Sequence, residues 1–155
     1  MAVLALLLLL AGQAGWLSGR APTDLGVRNG LLKPPSGTPN SVSSQADRHA
    51  GSGALVDYAR IAPLATGGDL AATMAGLRAV IEATPGARIV EARPDYLYAQ
   101  FSTRWLKFTD DAEFWASPAE GVIHVRSASR LGRADFGVNR ARIERLRAAL
   151  AATTR

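Results

Sequence analysis

Cysteine is absent from the 155 residues of this chain. That absence excludes disulfide bonds, thiolate metal sites, a cysteine nucleophile and the lipid-bearing cysteine of a lipoprotein. Aromatic residues are scarce, at 6% of the sequence, so aliphatic side chains must fill most of any core. Because 48% of the residues are hydrophobic, a chain of this length can still build one packed domain.

Lysine is nearly missing as well. Only Lys33 and Lys107 are present, so arginine supplies almost all of the positive charge behind the net charge of +5. Residues 126–147 hold seven arginines, a pattern that first suggests nucleic acid. We interpret it instead as a solvated helix face or a surface for anionic lipid headgroups. Nucleic acid is not an expected partner, because the N-terminus indicates a membrane.

Charged side chains are absent from residues 1–19, and the centre of this segment, Val3 to Leu10, is almost pure leucine. A membrane-spanning helix needs about 20 apolar residues, whereas the core of a signal peptide needs about 7–15. The segment therefore suits either an uncleaved membrane anchor or a cleaved signal peptide. Both interpretations predict a protein that is membrane-anchored or exported to the cell envelope.

Proline and glycine are frequent in the next segment, residues 20–38, which is predicted to be a linker. Pro34 and Pro35 prevent a continuous helix there. The domain itself is predicted over residues 39–151. It opens with a cluster of small hydrogen-bonding side chains, Asn40–Gln45, for which composition alone favours a solvated loop.

The remaining pattern predicts an α+β fold. One helix is expected over residues 69–83, capped by Asp69, and a second over residues 137–149, with its arginines mostly outside. Between them, short turns require four strands to be antiparallel neighbours. The strands are predicted at Arg88–Ala92, Asp95–Ser102, Trp105–Ala116 and Gly121–Ser129. The predicted architecture has two layers: a four-stranded antiparallel meander with one helix before and one after it packed on one face, plus the N-terminal hydrophobic helix.

The lengths of the turns also predict which residues pair across the strands. The pairing places the same alternate residues of three strands on one face, which we take as the core side. The predicted pairs are Phe114 with Ile123, Ala112 with Val125, Phe101 with Leu106, Ala99 with Phe108, Asp111 with Arg126, Glu113 with His124, and Asp110 with Ser127.

Several ordered motifs follow the apolar segment. They are Asp24-Leu25-Gly26, Pro39–Ala46, Asp95-Tyr96-Leu97, Phe108–Phe114, Val122–Gly132, Asp135–Arg140 and Arg142-Ile143-Glu144. In these motifs the chain resembles the family known as domain of unknown function 1499. The resemblance implies that Asn40–Gln45 is part of the domain, which reverses the prediction from composition. It also implies a hydrophobic N-terminal segment, as in many bacterial members. The family often has cysteine where this chain has Ser41, and it carries no established activity.

The sheet face opposite the predicted core is polar. Its side chains are Tyr96, Tyr98, Gln100, Lys107, Thr109, Asp111, Glu113, Trp115, His124 and Arg126. We interpret this face first as ion pairs on a solvated surface. The alternative is a polar binding surface, in which His124 can change charge near neutral pH and a neighbouring carboxylate allows acid–base work. A metal site is not expected, because Asp110 alternates away from Asp111 and Glu113.

Asp110 points toward the core side, where a carboxylate needs a partner. Arg130 or Arg140 is expected to supply it. The surrounding polar residues predict a structural network that joins the meander to residues 132–137 and the last helix, or else a ligand pocket completed by Asn40–Gln45. The residues of this network are Asp110, Ser127, Ser129, Asp135, Asn139 and Arg140.

Two classes of function stay open. The leading one is a membrane-tethered binding or scaffolding module of the cell envelope, with an anionic lipid or a small molecule as partner and no cofactor. The alternative is a small envelope hydrolase that uses the polar sheet face or the serine-rich loop, although neither a Gly-x-Ser-x-Gly elbow nor metal-ligand spacing is present. A serine beside His124 would favour it. No catalytic residue is assigned, and the candidate ligand-binding residues are Asn40, Ser41, Ser43, Ser44, Asp110, Asp111, Glu113, His124, Arg126, Ser127, Ser129, Asn139 and Arg140.

Overall fold

An antiparallel sheet organises the protein, as seen in a computed structural model that describes residues 2–153. Its strands are β1 (Ser41–Ser43), β2 (Leu64–Ala65), β3 (Ala87–Arg93), β4 (Tyr96–Ser102), β5 (Thr109–Ser117) and β6 (Val122–Ser129). The helices are α1 (Ala2–Gln13), α2 (Val56–Ala59), α3 (Leu70–Glu82) and α4 (Val138–Thr153), with a 3₁₀ helix at Ala46–His49. The strand order is β1-β6-β5-β4-β3, and β2 also pairs with β6.

The predicted α+β class and antiparallel meander are confirmed, but the sheet has six described strands rather than four. β1 and β2 both lie along the outer edge of β6, where β1 pairs with residues 126–128 and β2 with residues 122–123. They are three and two residues long, which is too short for the alternation that reveals a strand in a sequence.

The predicted register is wrong, although the predicted faces are right. Phe114 pairs with Val125 rather than Ile123, and Phe101 pairs with Asp110 rather than Leu106. In both pairs the observed partner is displaced from the predicted one by an even number of residues. An even shift in register leaves every side chain on its predicted face of the sheet. The other pairs become Ala112 with Ser127, Ala99 with Ala112, Asp111 with Ala128, Glu113 with Arg126, and Asp110 with Ser129.

The larger error comes from the connection between β4 and β5. Residues 103–108 form a loop that the Thr103 amide closes by donating to the Phe108 carbonyl, at 2.9 Å. Lys107 adopts a left-handed backbone conformation within it, with φ of 57°. As a result β5 begins at Thr109 instead of Trp105, and Phe108 lies outside the core.

α3 and α4 cover one face of the sheet. The side chain of Asp69 accepts a hydrogen bond from the Ala72 amide at 2.8 Å, so the predicted cap is confirmed. The core on this face is aliphatic, apart from two phenylalanines. It contains Val42, Leu64, Met74, Leu77, Ile81, Leu97, Ala99, Phe101, Ala112, Phe114, Ala116, Ile123, Val125, Ile143, Leu146 and Leu150.

The opposite face of the sheet is also covered, by residues 25–36. Leu25, Val27 and Leu32 pack against the tyrosines of β4 and Trp115. The Leu32 amide donates to Gln45 Oε1 at 2.9 Å, which fastens this segment to the end of β1. Residues 25–36 lie within the segment predicted to be a linker, yet they pack on the sheet. The sheet is therefore covered on both faces, whereas the predicted two-layer architecture covers only one. The proline and glycine content of this segment predicts a linker, although the segment also contains a few apolar residues.

α1 lies at the end of the domain formed by the β4–β5 loop. Gln13 Nε2 donates to the Trp105 carbonyl at 2.7 Å. Gly12 is so close to the loop that an added Cβ would lie 2.8 Å from the Leu106 Cα. Within residues 2–153, no helix combines the length and apolar character that crossing a membrane requires.

Candidate functional site

The polar face predicted to be solvated is largely buried beneath residues 25–36. Asp111 forms a bidentate pair with Arg130, with Nε–Oδ2 and Nη2–Oδ1 distances of 2.7 Å. Tyr98 donates a further hydrogen bond to Asp111 Oδ1 at 2.5 Å. The hydrogen bonds to Asp111 raise the pKa of Arg130. The cation paired with Asp111 is therefore Arg130, four positions beyond the predicted Arg126.

Glu113 is fully buried on the same face. Its Oε1 accepts hydrogen bonds from Tyr96 at 2.8 Å and from the Gly26 amide at 2.7 Å. Its Oε2 accepts no hydrogen bond from the part of the chain that the structure describes and lies 3.6 Å from Arg126 Nη1. Burial raises the pKa of Glu113, although the Gly26 hydrogen bond and the charge of Arg126 oppose the shift. Burial likewise raises the pKa of Tyr96.

Arg126 is a buried cation with few partners. Only 5% of its surface is exposed, and its Nε donates a hydrogen bond of 3.3 Å to the Pro34 carbonyl. A guanidinium has five N–H donors, and the other four make no hydrogen bond to the described residues. Burial lowers the pKa of Arg126, against the attraction of Glu113.

The guanidinium of Arg126 lies at a groove of about 620 Å³, which we call the basic groove. Residues 24–36 form one wall and β6 contributes to the other. Lys33 also lines it and donates to Asp24 at 2.7 Å, a bond that lowers the pKa of Asp24. Arg28 lines the groove with an exposed side chain that has no ion-pair partner in the described chain.

His124 lies beside the serine-rich loop. Its Nδ1 is 3.1 Å from Ser44 Oγ, and its ring stacks on Trp115 with the centroids 5.5 Å apart. Its Nε2 is 3.2 Å from Glu120 Oε1, but the direction of approach gives no hydrogen bond. A serine, a histidine and a carboxylate therefore lie in a row.

A second polar network lies on the helix face and centres on Asn139, which is fully buried. Its Oδ1 accepts a hydrogen bond from Ser127 Oγ at 2.6 Å. Its Nδ2 donates to the Asn40 carbonyl, Ser129 Oγ and Asp135 Oδ2, at 3.1, 2.9 and 2.8 Å. One side chain thus joins the segment before β1, the end of β6 and the start of α4.

The partner of Asp110 is Arg142, and neither Arg130 nor Arg140. Arg142 Nη1 also donates to Asn139 Oδ1 at 2.7 Å. Arg142 follows Asn139 by three positions on α4, so the two side chains share its inner face. The prediction that the arginines of this helix lie outside is wrong for Arg142, which is buried. Arg140 instead donates to the backbone carbonyls of residues 58 and 60.

Asp135 fixes the start of α4. It accepts hydrogen bonds from the Tyr58 hydroxyl, from the Gly137 amide at 2.9 Å and from the Asn139 amide at 3.0 Å. Burial acts to raise the pKa of Asp135, but the hydrogen bonds from Tyr58 and Asn139 outweigh it and lower the pKa. Tyr58 was not predicted as part of this network.

The serine-rich loop reaches both networks, since Ser44 lies beside His124 and Asn40 beside Asn139. Its other side chains bond locally. Ser41 Oγ accepts from the Ser36 amide at 2.8 Å, and Ser43 Oγ accepts from the Gln45 amide at 3.1 Å. These bonds belong to a tightly folded segment, which agrees with the resemblance and not with composition.

An apolar surface missed in the sequence lies at the end of the domain that contacts α1. We call it the apolar patch: Trp105, Phe108, Leu131, Phe136 and Val138, all exposed. Four of them line one cavity of about 400 Å³. Phe136 is 96% exposed and has a φ of 50°, a strained conformation for a bulky residue. Such strain concentrates at functional positions.

The apolar residues of α1 continue the apolar patch. Every residue from Val3 to Leu10 is exposed, and the chain after the helix returns to the patch at Gly19. An added Cβ at Gly19 would lie 3.1 Å from the Leu131 Cγ. α1 and the apolar patch therefore form one apolar end of the protein.

The protein is an α+β domain whose antiparallel sheet is covered on both faces and carries a buried polar network on each face. A family model described as "Protein of unknown function (DUF1499)" matches residues 31–150, and the chain belongs to that family. The resemblance drawn from the sequence motifs is confirmed. No curated protein and no solved structure matches the chain.

Proposed function

We propose that this protein is a binding module of the cell envelope that is attached to a membrane surface. The observation that carries the proposal is the apolar end, where the exposed leucines of α1 adjoin the apolar patch. Large contiguous apolar surfaces mark sites of interaction with proteins or membranes. A helix that is apolar on every side has no polar face for water, and this favours lipid as its environment.

Charge near the apolar patch supports the same proposal. Arg104 is exposed and its guanidinium lies 4.7 Å from the centre of the Trp105 ring. Arg133 is exposed between Leu131 and Phe136. Arginine and tryptophan together suit the boundary between acyl chains and headgroups, and anionic lipids attract such cations.

The length of α1 limits how it can enter a membrane. Its 12 residues extend about 18 Å at 1.5 Å per residue, whereas the hydrocarbon core measures about 30 Å. We therefore propose that α1 inserts into one leaflet while the apolar patch rests at the interface. If the segment 1–19 is instead cleaved as a signal peptide, the apolar patch remains as the contact surface.

Co-sedimentation of the full chain with vesicles of phosphatidylcholine and phosphatidylglycerol tests the attachment. Phe136→Ser should weaken binding about tenfold, since burying a phenylalanine contributes roughly 1.5–3 kcal/mol. The matched control is Val90→Ser, which removes an exposed apolar side chain on β3 outside the apolar patch. Equal binding of wild type and Phe136→Ser, or an equal loss in the control, would contradict the proposal.

A hydrolase is the second candidate function, favoured by the alignment of Ser44, His124 and Glu120. A serine hydroxyl beside a histidine base is the arrangement that activates a serine nucleophile. It ranks second because the ring of His124 is buried against Trp115 and because the Ser44 hydroxyl already accepts from the Val125 amide at 2.9 Å.

Labelling with a fluorophosphonate probe separates the two candidates. A hydrolase requires covalent labelling of Ser44 that disappears in Ser44→Ala and in His124→Gln, while Ser52→Ala, a change at an exposed serine, leaves it unchanged. If the full chain binds vesicles and Ser44 is not labelled by the probe, the hydrolase hypothesis is excluded and the binding module is supported.

A further inference from the structure

We propose that the basic groove binds a phosphate monoester, with Arg126 as the anchoring cation. The inference names the ligand class for the binding role proposed above and rests on that role. It is carried by the incomplete pairing of Arg126 and by the size and charge of the space beside it.

Arg126 is ion-paired with Glu113 at 3.6 Å but is incompletely hydrogen-bonded. A buried charge is costly unless it is paired and hydrogen-bonded. Yet among residues 2–153 only its Nε–H has an acceptor, the Pro34 carbonyl, and Glu113 Oε2 is 3.6 Å from Nη1. By contrast, Arg130 holds Asp111 through two bonds of 2.7 Å on the same face. The free N–H groups of Arg126 match the bidentate geometry of a phosphate.

The groove supplies further positive charge and enough room. Arg28 is exposed and has no ion-pair partner in the described chain. Lys33 pairs with Asp24, which also lines the groove and has a side chain that is 49% exposed. Three cations therefore surround a space of about 620 Å³, which lies in the usual range of small-molecule pockets. That space exceeds the need of inorganic phosphate and suits a phosphate carried on an organic group.

Glu113 offsets part of the charge of Arg126. Its Oε2 lies 3.6 Å from Arg126 Nη1, while its Oε1 is held by Tyr96 and the Gly26 amide. Because it makes no hydrogen bond to Arg126, it leaves the fork of the guanidinium available. The Gly26 bond also ties the wall of the groove to β5, so the wall and the anchor are positioned together.

Calorimetric titration of the full chain in a nonionic detergent tests the site. The probes are phenyl phosphate and, as a neutral analogue, benzyl alcohol. We expect saturable one-to-one binding of phenyl phosphate and none of benzyl alcohol. Arg126→Lys keeps the charge but loses the fork, and should weaken binding about tenfold. Arg28→Gln, an exposed change that leaves the buried face intact, should weaken it several-fold, whereas Arg78→Gln on α3 should have no effect.

A second arm asks whether the phosphate belongs to a lipid. The same variants are sedimented with phosphatidylcholine vesicles that contain or lack phosphatidic acid. Binding of phenyl phosphate in solution assigns the groove to a soluble ligand. Retention by phosphatidic acid that Arg126→Lys and Arg28→Gln reduce, without binding of phenyl phosphate, assigns it to a lipid headgroup. The proposal is overturned if neither probe responds to these two variants, or if Arg78→Gln weakens binding equally. Loss of retention in Phe136→Ser on vesicles without phosphatidic acid reports on membrane attachment separately.

Discussion

At the scale of single residues, buried polar side chains rather than aromatic packing distinguish this domain. Asn139 uses both ends of its amide, because Oδ1 accepts from Ser127 and Arg142 while Nδ2 donates to three oxygens. A fully satisfied network of this kind stabilises one arrangement of the elements that it joins. It connects β6, the segment before β1 and the start of α4. Its removal should therefore lower the stability of the fold ahead of any effect on ligand binding.

Replacement of Asn139 by alanine tests that role. The change removes the buried acceptor of Ser127 and Arg142 and one of the two donors to the Asn40 carbonyl, which keeps the Ser129 amide at 3.0 Å. The free energy of unfolding should therefore fall by about 2–4 kcal/mol. Urea unfolding at pH 7 gives the value. Arg145→Ala, an exposed change on the same helix, should stay within about 0.5 kcal/mol. A gain in stability in Asn139→Ala would instead indicate a polar group kept for a ligand.

Glu113 predicts how stability depends on pH. The pKa of Glu113 in the folded protein lies above the ordinary value of 4.5. At pH values between 4.5 and that raised pKa, the folded state therefore binds more protons than the unfolded state. Stability due to this group therefore falls as pH rises through that window. The difference in free energy of unfolding between wild type and Glu113→Gln should decrease from pH 4.5 toward neutrality. A difference that rises with pH would show that Glu113 is charged more readily in the folded state.

At the scale of elements, the sequence predicted those helices and strands in which apolar residues recur with a clear period. α3 and α4 follow helical spacing, and the alternation in β4, β5 and β6 identified the core face although the register was wrong. The short strands β1 and β2 have no period to find. The sequence predicts Arg142 outside with the other arginines of the helix, whereas it is buried. Its partner Asp110 is distant in sequence, and only the corrected register and the observed start of α4 bring the two together.

The cover over the second face was the largest element missed. Residues 25–36 contain proline and glycine at the density of a linker, and their role depends on contacts with β4, β5 and the 3₁₀ helix. Gln45 gave one possible signal, since a buried glutamine within a family motif needs two partners. It finds them in the Leu32 amide and the Gly30 carbonyl, both at 2.9 Å.

Leu32→Ala tests whether this cover is part of the folded domain. Leu32 is almost completely buried against Tyr96 and Tyr98, so the change should lower the free energy of unfolding by about 2–5 kcal/mol. Thermal or urea unfolding gives the value, and Leu55→Ala, at a leucine that is 39% exposed, is the control. If wild type and Leu32→Ala are equally stable, residues 25–36 are a linker and do not contribute to the folded domain.

At the scale of the whole molecule, the fold separates two surfaces with different chemistry. The apolar end consists of α1 and the apolar patch, whereas the basic groove lies between residues 24–36 and β6. The first suits lipid and the second suits an anionic group. The sequence predicts the apolar helix and names Arg126 as a candidate ligand-binding residue, but it predicts neither the apolar patch nor the basic groove. Each surface is assembled from segments far apart in the sequence: residues 3–10 and 105–138 in one case, and residues 24–36 and 126 in the other.

Entry of the apolar end into the bilayer can be measured by tryptophan quenching with brominated lipids. Trp105 is 60% exposed in the apolar patch, whereas Trp115 is partly buried beneath residues 25–36. Full-length variants that retain only one of these tryptophans, with phenylalanine at the other tryptophan positions, are mixed with vesicles. If the apolar patch inserts, the fluorescence of Trp105 should be strongly quenched and shifted to the blue, whereas that of Trp115 should change little. Equal quenching of both, or none for Trp105 in vesicle-bound protein, would contradict insertion of the apolar patch.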